Sequence, residues 1–132
     1  MEPTAPPESR HALDLSELQA PGVRVWVGVL DDRIVATAAL APIADAHEEL
    51  KSMRTDPRVR GQGIASAMLT HVLDDAAARG VRRVSLETGS MDFFATARAL
   101  YARNGFIECE PFGAYVPDPH SVFMTRLLLS RP

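Results

Sequence analysis

The segment HEELKSMRTDPRVRGQGIASAML, residues 47–69, joins a predicted strand to a predicted helix through a turn that contains Gly61 and Gly63. Because glycine has no Cβ, the backbone at these two positions can approach a ligand closely. The helix that follows directs its unpaired N–H groups and the positive end of its dipole at the same turn. Phosphate groups bind well in such a setting, so the segment predicts an anion site at the start of a helix.

Three arginines near the turn, Arg54, Arg58 and Arg60, add positive charge and forked hydrogen-bond donors. The alternative is an ordinary junction between loop and helix with solvated arginines, and these residues alone do not decide between the two. Two common phosphate motifs fit poorly. A P-loop ends in Gly-Lys-Ser/Thr, which is absent here, and the dinucleotide fingerprint needs Gly or Ala where Ser66 stands.

The chain has 132 residues, of which 46% are hydrophobic, and this predicts a single domain over residues 1–132 with one core. We expect a proline-rich segment with a short helix over residues 1–20 and the folded core over residues 23–129. A net charge of −3 argues against a nucleic-acid partner, and no apolar run is long enough to cross a membrane. The single cysteine, Cys109, excludes an internal disulfide, and we expect a cytoplasmic location.

The hydrophobic pattern predicts strands that alternate with helices in the middle of the chain. The predicted strands cover residues 23–30, 34–43, 47–55, 82–88, 106–110 and 121–129, and the predicted helices cover residues 61–79 and 92–104. The central strand–helix–strand unit should be a right-handed crossover between parallel strands, and the flanking hairpins make the sheet mixed. The sequence therefore predicts an α/β (α+β) fold with helices on a central sheet.

The strand over residues 47–55 contains an irregularity in its pattern. Leu50 and Met53 are both suitable for the core, but three residues separate them, and strict alternation would place them on opposite faces. A β-bulge between them would bring both to the core. A bulge would also splay this strand from its neighbour and expose unpaired backbone groups to an extended ligand.

Several segments together resemble the GNAT superfamily of N-acetyltransferases. Residues 60–65, RGQGIA, resemble its Arg/Gln-x-x-Gly-x-Gly/Ala signature, and residues 49–57 resemble its bulged fourth strand. Residues 85–88 resemble the fifth strand, and residues 97–106 the helix that follows it. The resemblance covers roughly residues 23–129. Residues 6–15, 86–95 and 111–124 are similar to a bacterial group within the superfamily that acetylates small molecules. The resemblance implies a mostly antiparallel mixed sheet with a splayed, bulged strand and flanking helices.

The resemblance implies acetyl-CoA as co-substrate and no metal. The pyrophosphate should lie on the backbone N–H groups of Arg60, Gly61, Gln62, Gly63, Ile64, Ala65 and Ser66. The pantetheine arm should pair with exposed backbone at Met53, Arg54 and Thr55, and the N–H group of Met53 should polarise the thioester oxygen.

The resemblance also implies two catalytic side chains. Glu49 should act as the base for the amine, directly or through water, with Glu48 as a second candidate that alternation turns away. Tyr101 should act as the acid for the CoA thiolate. The alternatives are a solvated strand-end carboxylate for Glu49 and a half-buried packing residue for Tyr101.

The acceptor should be a small-molecule amine bound near the loop between the last two predicted strands, where Phe112 and Tyr115 lie, and near His11. Ala114 stands where related sequences often carry an acidic residue before the tyrosine. We expect Cys109 to be inert, because it lies in a strand pattern with no histidine nearby in the sequence. The histidines show no metal-binding spacing.

These features predict an N-acetyltransferase that works by direct attack of the amine in a ternary complex. A catalytically weak acyl-CoA-binding domain and a protein N-acetyltransferase are the alternatives. We expect neither a nucleic-acid nor a membrane partner. Edge strands of this fold commonly pair between subunits, which allows a homodimer.

The start of the chain raises a further expectation. The superfamily usually has a first strand and a first helix before the part matched here, and residues 1–9 resemble the end of that helical region. We therefore expect residues 23–30 to leave an open sheet edge, with CoA binding retained and activity weak or accompanied by self-association. The alternative is a complete chain whose proline-rich start packs over that edge.

Overall fold

The structure is a computed structural model that describes residues 19–128. Within that range the chain forms six strands and two α-helices. They are β1 Arg24–Leu30, β2 Arg33–Ala44, β3 His47–Thr55, α1 Ile64–Ala78, β4 Arg83–Gly89, α2 Ala95–Arg103, β5 Ile107–Glu108 and β6 Ser121–Leu127. Short 3-10 helices at Pro57–Val59 and Asp92–Phe94 come before α1 and α2. The short helix predicted within residues 1–20 lies outside the described residues.

The strands form one open sheet in the order β1-β2-β3-β4-β6-β5. Within the described range β3 and β4 are parallel, and the other neighbouring pairs are antiparallel. This arrangement confirms the predicted α/β class and the mostly antiparallel mixed sheet. The predicted strand at 106–110 is shorter than expected, since β5 covers only Ile107–Glu108. The Cys109 N–H still donates to the Phe123 carbonyl at 2.8 Å, but Pro111 has no N–H with which to continue the pairing.

One face of the sheet, called here the helix face, packs against α1 and α2. Its core residues include Ala38 and Leu40 of β2, Leu50 of β3, Leu69, Val72 and Leu73 of α1, Val84 and Leu86 of β4, Leu100 of α2 and Met124 of β6. The strand positions that alternate with these residues, such as Glu49, Ser85 and Thr125, point to the opposite face of the sheet. That face is called here the acceptor face. The two faces therefore offer neighbouring residues of one strand very different surroundings.

The connection from β3 through α1 to β4 is the predicted crossover. The helix begins at Ile64, later than the sequence pattern predicts, because Gly61 and Gly63 have positive φ angles of 81° and 78° that a helix does not allow. It ends at Ala78, followed by Gly80 with φ 92°, the left-handed residue expected after a helix. In the described part of the chain, neither helix is long and apolar enough to cross a membrane.

Candidate active site

The predicted bulge lies in β3. Thr37 pairs with Arg54 and Ala39 pairs with Lys51, so β3 contains one residue more than β2 over this stretch. Ser52 has a φ angle of 56°, and its carbonyl oxygen accepts a hydrogen bond of 2.8 Å from the Thr37 hydroxyl. Leu50 and Met53 both pack against the core despite their spacing. The bulge is thus confirmed between these two residues, and a side chain of β2 holds it.

The bulged strand separates from β4, as predicted. Parallel pairing joins His47–Glu49 to Arg83–Ser85 and ends there. Beyond that point β3 pairs with β2 as far as Thr55, and β4 pairs with β6 as far as Gly89. The facing edges of β3 and β4 are therefore not paired with each other, and a gap opens between them.

The direction of the backbone amides beside this gap follows from a hydrogen bond at the end of β3. The Asp56 N–H donates to the Val35 carbonyl at 2.8 Å, so it points toward β2. Strand alternation directs the Arg54 N–H to the same side and the N–H groups of Met53 and Thr55 toward the gap. The gap therefore has donors of the kind that an extended ligand or a thioester oxygen needs.

The glycine turn at the mouth of this gap is open. A Cβ atom built on Gly61 or Gly63 would meet no other atom within 4 Å. The first helical hydrogen bond of α1 joins the Ala67 N–H to the Gly63 carbonyl at 3.0 Å, so helix geometry leaves the amides of Ile64, Ala65 and Ser66 without an acceptor inside the helix. These residues fit the phosphate cradle that the sequence predicts.

The three arginines near the turn do not act alike. Arg58 is bound to Asp56, whose carboxylate accepts hydrogen bonds from the Arg58 backbone at 2.9 Å and from its guanidinium at 2.7 Å. The hydrogen bond from the Arg58 side chain is the main reason that the pKa of Asp56 falls to about 2. Arg54 and Arg60 are exposed, and no ion pair holds either side chain to another residue of the described range. The cationic groups available to an anion are therefore Arg54 and Arg60 rather than all three.

Tyr101 lies on α2 and is buried, with 7% of its surface exposed. Its ring packs against Phe106 in a T-shaped arrangement with centroids 5.8 Å apart. Burial raises the pKa of Tyr101 to about 12, so the hydroxyl stays protonated at neutral pH. The hydroxyl makes no hydrogen bond within residues 19–128, which leaves its proton available to a ligand.

Glu49 lies on the acceptor face and is only 6% exposed. The Tyr115 hydroxyl donates a hydrogen bond of 2.5 Å to its Oε2 atom. Tyr115 belongs to an aromatic cluster with Phe112 and Phe123, in which the ring centroids lie 5.2 to 5.8 Å apart. The structure thus brings Glu49, Phe112 and Tyr115 together, and the alternative of a solvated strand-end carboxylate does not fit this burial.

Glu48 points the other way, as alternation predicts. Its two carboxylate oxygens accept hydrogen bonds of 2.9 and 3.0 Å from the guanidinium of Arg79, the residue that caps the end of α1. Arg79 also donates to Asp75 at 2.8 Å. The carboxylate of Glu48 is therefore engaged on the helix face, away from Glu49.

The polar side chains of His47, Ser85 and Thr125 form a hydrogen-bonded row beside the aromatic cluster, and this row was not predicted. His47 Nε2 lies 2.7 Å from Ser85 Oγ, which lies 2.8 Å from Thr125 Oγ1, and Arg83 donates to Thr125 at 3.1 Å. Burial, and then the charge of Arg83, lower the pKa of His47, so its imidazole is neutral at pH 7. The signal in the sequence was the alternation of polar residues at His47, Glu49 and Ser85, which predicts one polar face on neighbouring strands.

Cys109, His11 and the absence of a metal site are the remaining predictions. Burial raises the pKa of the Cys109 thiol, which disfavours the reactive thiolate and agrees with the expected inert role. His11 lies outside the described residues. Over residues 19–128, no group of three or more potential ligands could hold a metal ion.

Known proteins similar to this chain are acetyltransferases and acyltransferases. The sequence model of the Acetyltransferase (GNAT) family matches residues 1–106. An uncharacterized N-acetyltransferase of Bacillus subtilis (strain 168), YsnE, is 45% identical over 124 residues, which cover 94% of this chain and 82% of YsnE. The crystal structure of a protein assigned as an acyl-CoA N-acyltransferase from Klebsiella pneumoniae has a TM-score of 0.80 at 33% identity, covering 89% of this chain and 80% of that one.

A solved structure with a bound ligand has the same fold. The PaiA N-acetyltransferase of Thermoplasma acidophilum, in complex with coenzyme A, has a TM-score of 0.69 and covers 80% of this chain and 61% of that one. Its sequence identity of 16% limits the similarity to the fold.

Proposed function

This chain belongs to the GNAT family of acetyltransferases, and we propose that it transfers the acetyl group of acetyl-CoA to a primary amine of a small molecule. The observation that carries the proposal is the gap between β3 and β4, with an open glycine turn at its mouth, Tyr101 on the helix face and Glu49 on the acceptor face. When bound, acetyl-CoA supplies an acetyl group activated as a thioester. Every other requirement of the reaction must be met by residues of the chain.

We assign cofactor binding to backbone groups. The amides from Gly61 to Ser66 would hold the pyrophosphate, and those of Met53 and Thr55 would hold the pantetheine arm and polarise the thioester oxygen. Exposed Arg54 and Arg60 would add charge at the rim. This assignment gives Gly61 and Gly63 a role, since a side chain at either position would stand in the space that the ligand needs.

We assign the removal of the amine proton to Glu49. An alkyl amine titrates near 10.4, so at pH 7 almost all of it is protonated and cannot attack. A buried carboxylate on the acceptor face can accept that proton directly or through one water molecule. Glu48 is not a candidate, because Arg79 holds it on the other face.

We assign stabilisation of the departing sulfur to Tyr101. With a pKa of about 12 its hydroxyl carries a proton at any working pH. A thiolate has a pKa near 8.5, so full proton transfer from this phenol is uphill, and a hydrogen bond to the developing thiolate is the favourable part of the interaction. Tyr101 therefore acts chiefly as a hydrogen-bond donor in this proposal.

The proposal is tested by measuring CoA thiol release from acetyl-CoA with a panel of small primary amines and an N-terminal peptide. We expect amine-dependent release with intersecting initial-rate lines, which indicate a ternary complex. Parallel lines would contradict direct attack, and release only with the peptide would favour a protein N-acetyltransferase. Binding of acetyl-CoA without release from any amine would favour the catalytically weak binding domain.

The cofactor site is tested separately by the rise in melting temperature that acetyl-CoA causes, since a ligand that binds the folded state stabilises it. We expect Gly63→Val to abolish that rise. Gly80→Val is the matched control, because both glycines flank α1, both have positive φ, and a Cβ at either meets nothing within 4 Å. The strain of about 1–3 kcal/mol should be similar in both variants. An equal loss of the acetyl-CoA effect in both would contradict the phosphate cradle.

A further inference from the structure

The loop over residues 109–120, between β5 and β6, contains Tyr115, whose hydroxyl contacts the candidate base Glu49. Tyr115 lies 66 positions after Glu49 in the chain, and its hydroxyl donates to Glu49 Oε2 at 2.5 Å. Contacts to acidic oxygens at this distance are in the short range for a hydroxyl donor and a charged acceptor. This contact therefore joins the loop directly to the site described above.

The position of that hydroxyl is fixed by aromatic packing. The Tyr115 ring lies 5.2 Å from that of Phe112 and 5.6 Å from that of Phe123, which is buried in β6. Phe112 in turn contacts the His47 ring, with centroids 6.2 Å apart. A phenol held by rings on two sides presents its hydroxyl in one place, unlike an exposed side chain that samples several rotamers.

The backbone of the loop is also held. The Tyr115 N–H donates to the Phe112 carbonyl at 3.1 Å and closes a turn around Gly113, whose φ is 59°. At the far end, the Ser90 N–H donates to the His120 carbonyl at 3.0 Å, and the Ser90 hydroxyl donates to the Pro119 carbonyl at 2.6 Å. The loop is therefore fastened to the end of β4 as well as to Glu49.

We propose that Tyr115 is a positioning residue for Glu49: its hydroxyl fixes the orientation of the carboxylate and stabilises its charged form. This inference rests on the proposed role of Glu49. A carboxylate that is 6% exposed has lost most of its water, and a charged hydrogen bond offsets part of that loss. The charged form is the one that can take a proton from the amine, so a donor on Oε2 prepares the base for its role.

This role differs from the one that the sequence predicts for Tyr115. A residue that binds the acceptor contributes mainly to KM, whereas a residue that prepares the base contributes to kcat and to its pH dependence. The two roles can be separated by Tyr115→Phe, which removes the hydroxyl and keeps the ring between Phe112 and Phe123. Ser90→Ala is the matched control, because it removes a hydroxyl that holds the same loop through the Pro119 carbonyl and leaves the Tyr115 hydroxyl and its aromatic neighbours in place.

The experiment measures kcat, KM for the amine and the pH profile in Tyr115→Phe, with and without Glu49→Gln. We expect kcat to fall about ten- to a hundredfold, with KM for the amine nearly unchanged and the acidic limb of the profile moved to higher pH. In the Glu49→Gln background the second substitution should cause little further loss, because both act through one group. A rise in KM with unchanged kcat, or equal losses in both backgrounds, would overturn the proposal.

A second measurement does not depend on turnover. Carboxyl-carbon NMR, with the Glu49 signal identified by its absence in Glu49→Gln, follows the titration of this residue in the wild type and in Tyr115→Phe. We expect Glu49 to titrate at higher pH in Tyr115→Phe, and coincident titrations would overturn the proposal. If the titration shifts but no amine supports thiol release, the positioning contact stands and the proposed function fails.

Discussion

Glu48 and Glu49 are adjacent in β3, yet they lie on opposite faces of the sheet and have different partners. Glu48 faces α1, where the Arg79 guanidinium binds both of its oxygens. Glu49 faces away from the helices, where a tyrosine from a distant loop donates to it. Both are largely buried, so burial alone does not distinguish them. Their partners do: the guanidinium of Arg79, a cation, binds Glu48, whereas the phenol of Tyr115 donates a hydrogen bond to Glu49.

The largest effect that this comparison predicts is that of Glu49→Gln on turnover. Glutamine keeps the size of the side chain and can still accept the Tyr115 hydrogen bond, but it cannot take a proton. We expect kcat to fall by about 10² to 10⁴, as is typical for loss of a general base. The loss is measured by thiol release, with Glu48→Gln as the control. Similar losses of kcat in the two variants would contradict the assignment of the base to Glu49 and of a structural role to Glu48.

The next largest effect should come from substitution of Tyr101. If its hydroxyl donates to the departing sulfur, the helix face takes part in the reaction as well as in the core. We expect Tyr101→Phe to lower kcat by about 10², while the binding of acetyl-CoA changes little. Thiol release gives the first quantity, and the rise in melting temperature with acetyl-CoA gives the second. If turnover stays at the wild-type level, Tyr101 is a packing residue and the helix face is purely structural.

The raised pKa of Tyr101 also predicts a dependence of stability on pH. A phenol whose pKa rises from 10 to about 12 on folding favours the folded state fully below pH 10 and loses that contribution between pH 10 and 12. Two pH units correspond to a loss of about 3 kcal/mol in the free energy of unfolding. Urea unfolding at pH 9 and pH 11.5 should show a smaller loss in Tyr101→Phe than in the wild type. Equal losses would indicate that the hydroxyl is not desolvated.

The smallest effect should come from Glu48→Gln, and it should appear in stability. The substitution leaves the Arg79 guanidinium, still bound to Asp75, without the carboxylate that neutralises it. We expect the free energy of unfolding to fall by about 1–3 kcal/mol, with kcat nearly unchanged. Urea unfolding with Asp75→Asn as a comparison tests this expectation, since Asp75 is the more exposed partner and should contribute less.

The features of the fold that depend on residues close together in the sequence were predicted well. The phase of Leu50 and Met53 predicts the bulge, and the bulge predicts the gap, because an extra residue in one strand disrupts its pairing. The hydroxyl of Thr37 that holds the bulge was not predicted, since it comes from the neighbouring strand. The position of Glu48 away from Glu49 followed from alternation, but Arg79 as its partner did not.

The contacts of the acceptor face were the least predictable. Phe112 and Tyr115 were recognised as candidate site residues because aromatic side chains in a long loop often bind ligands. That Tyr115 reaches Glu49 depends on how the loop returns over the sheet, and a loop has no periodicity from which its path can be read. The row of His47, Ser85 and Thr125 likewise requires three strands to be in register.

The sequence by itself determined the class of fold, the bulge and the glycine turn, because each of these depends on residues close together in the chain. The φ angle available to Gly63, the alternation of β3 and the apolar stripe of α1 are local properties of the polypeptide. Only the tertiary structure decided which of two adjacent glutamates is bound by Arg79 and which receives the Tyr115 hydroxyl. These partners come from distant parts of the chain, and they meet only when sheet order and loop path bring the two faces of β3 into different surroundings.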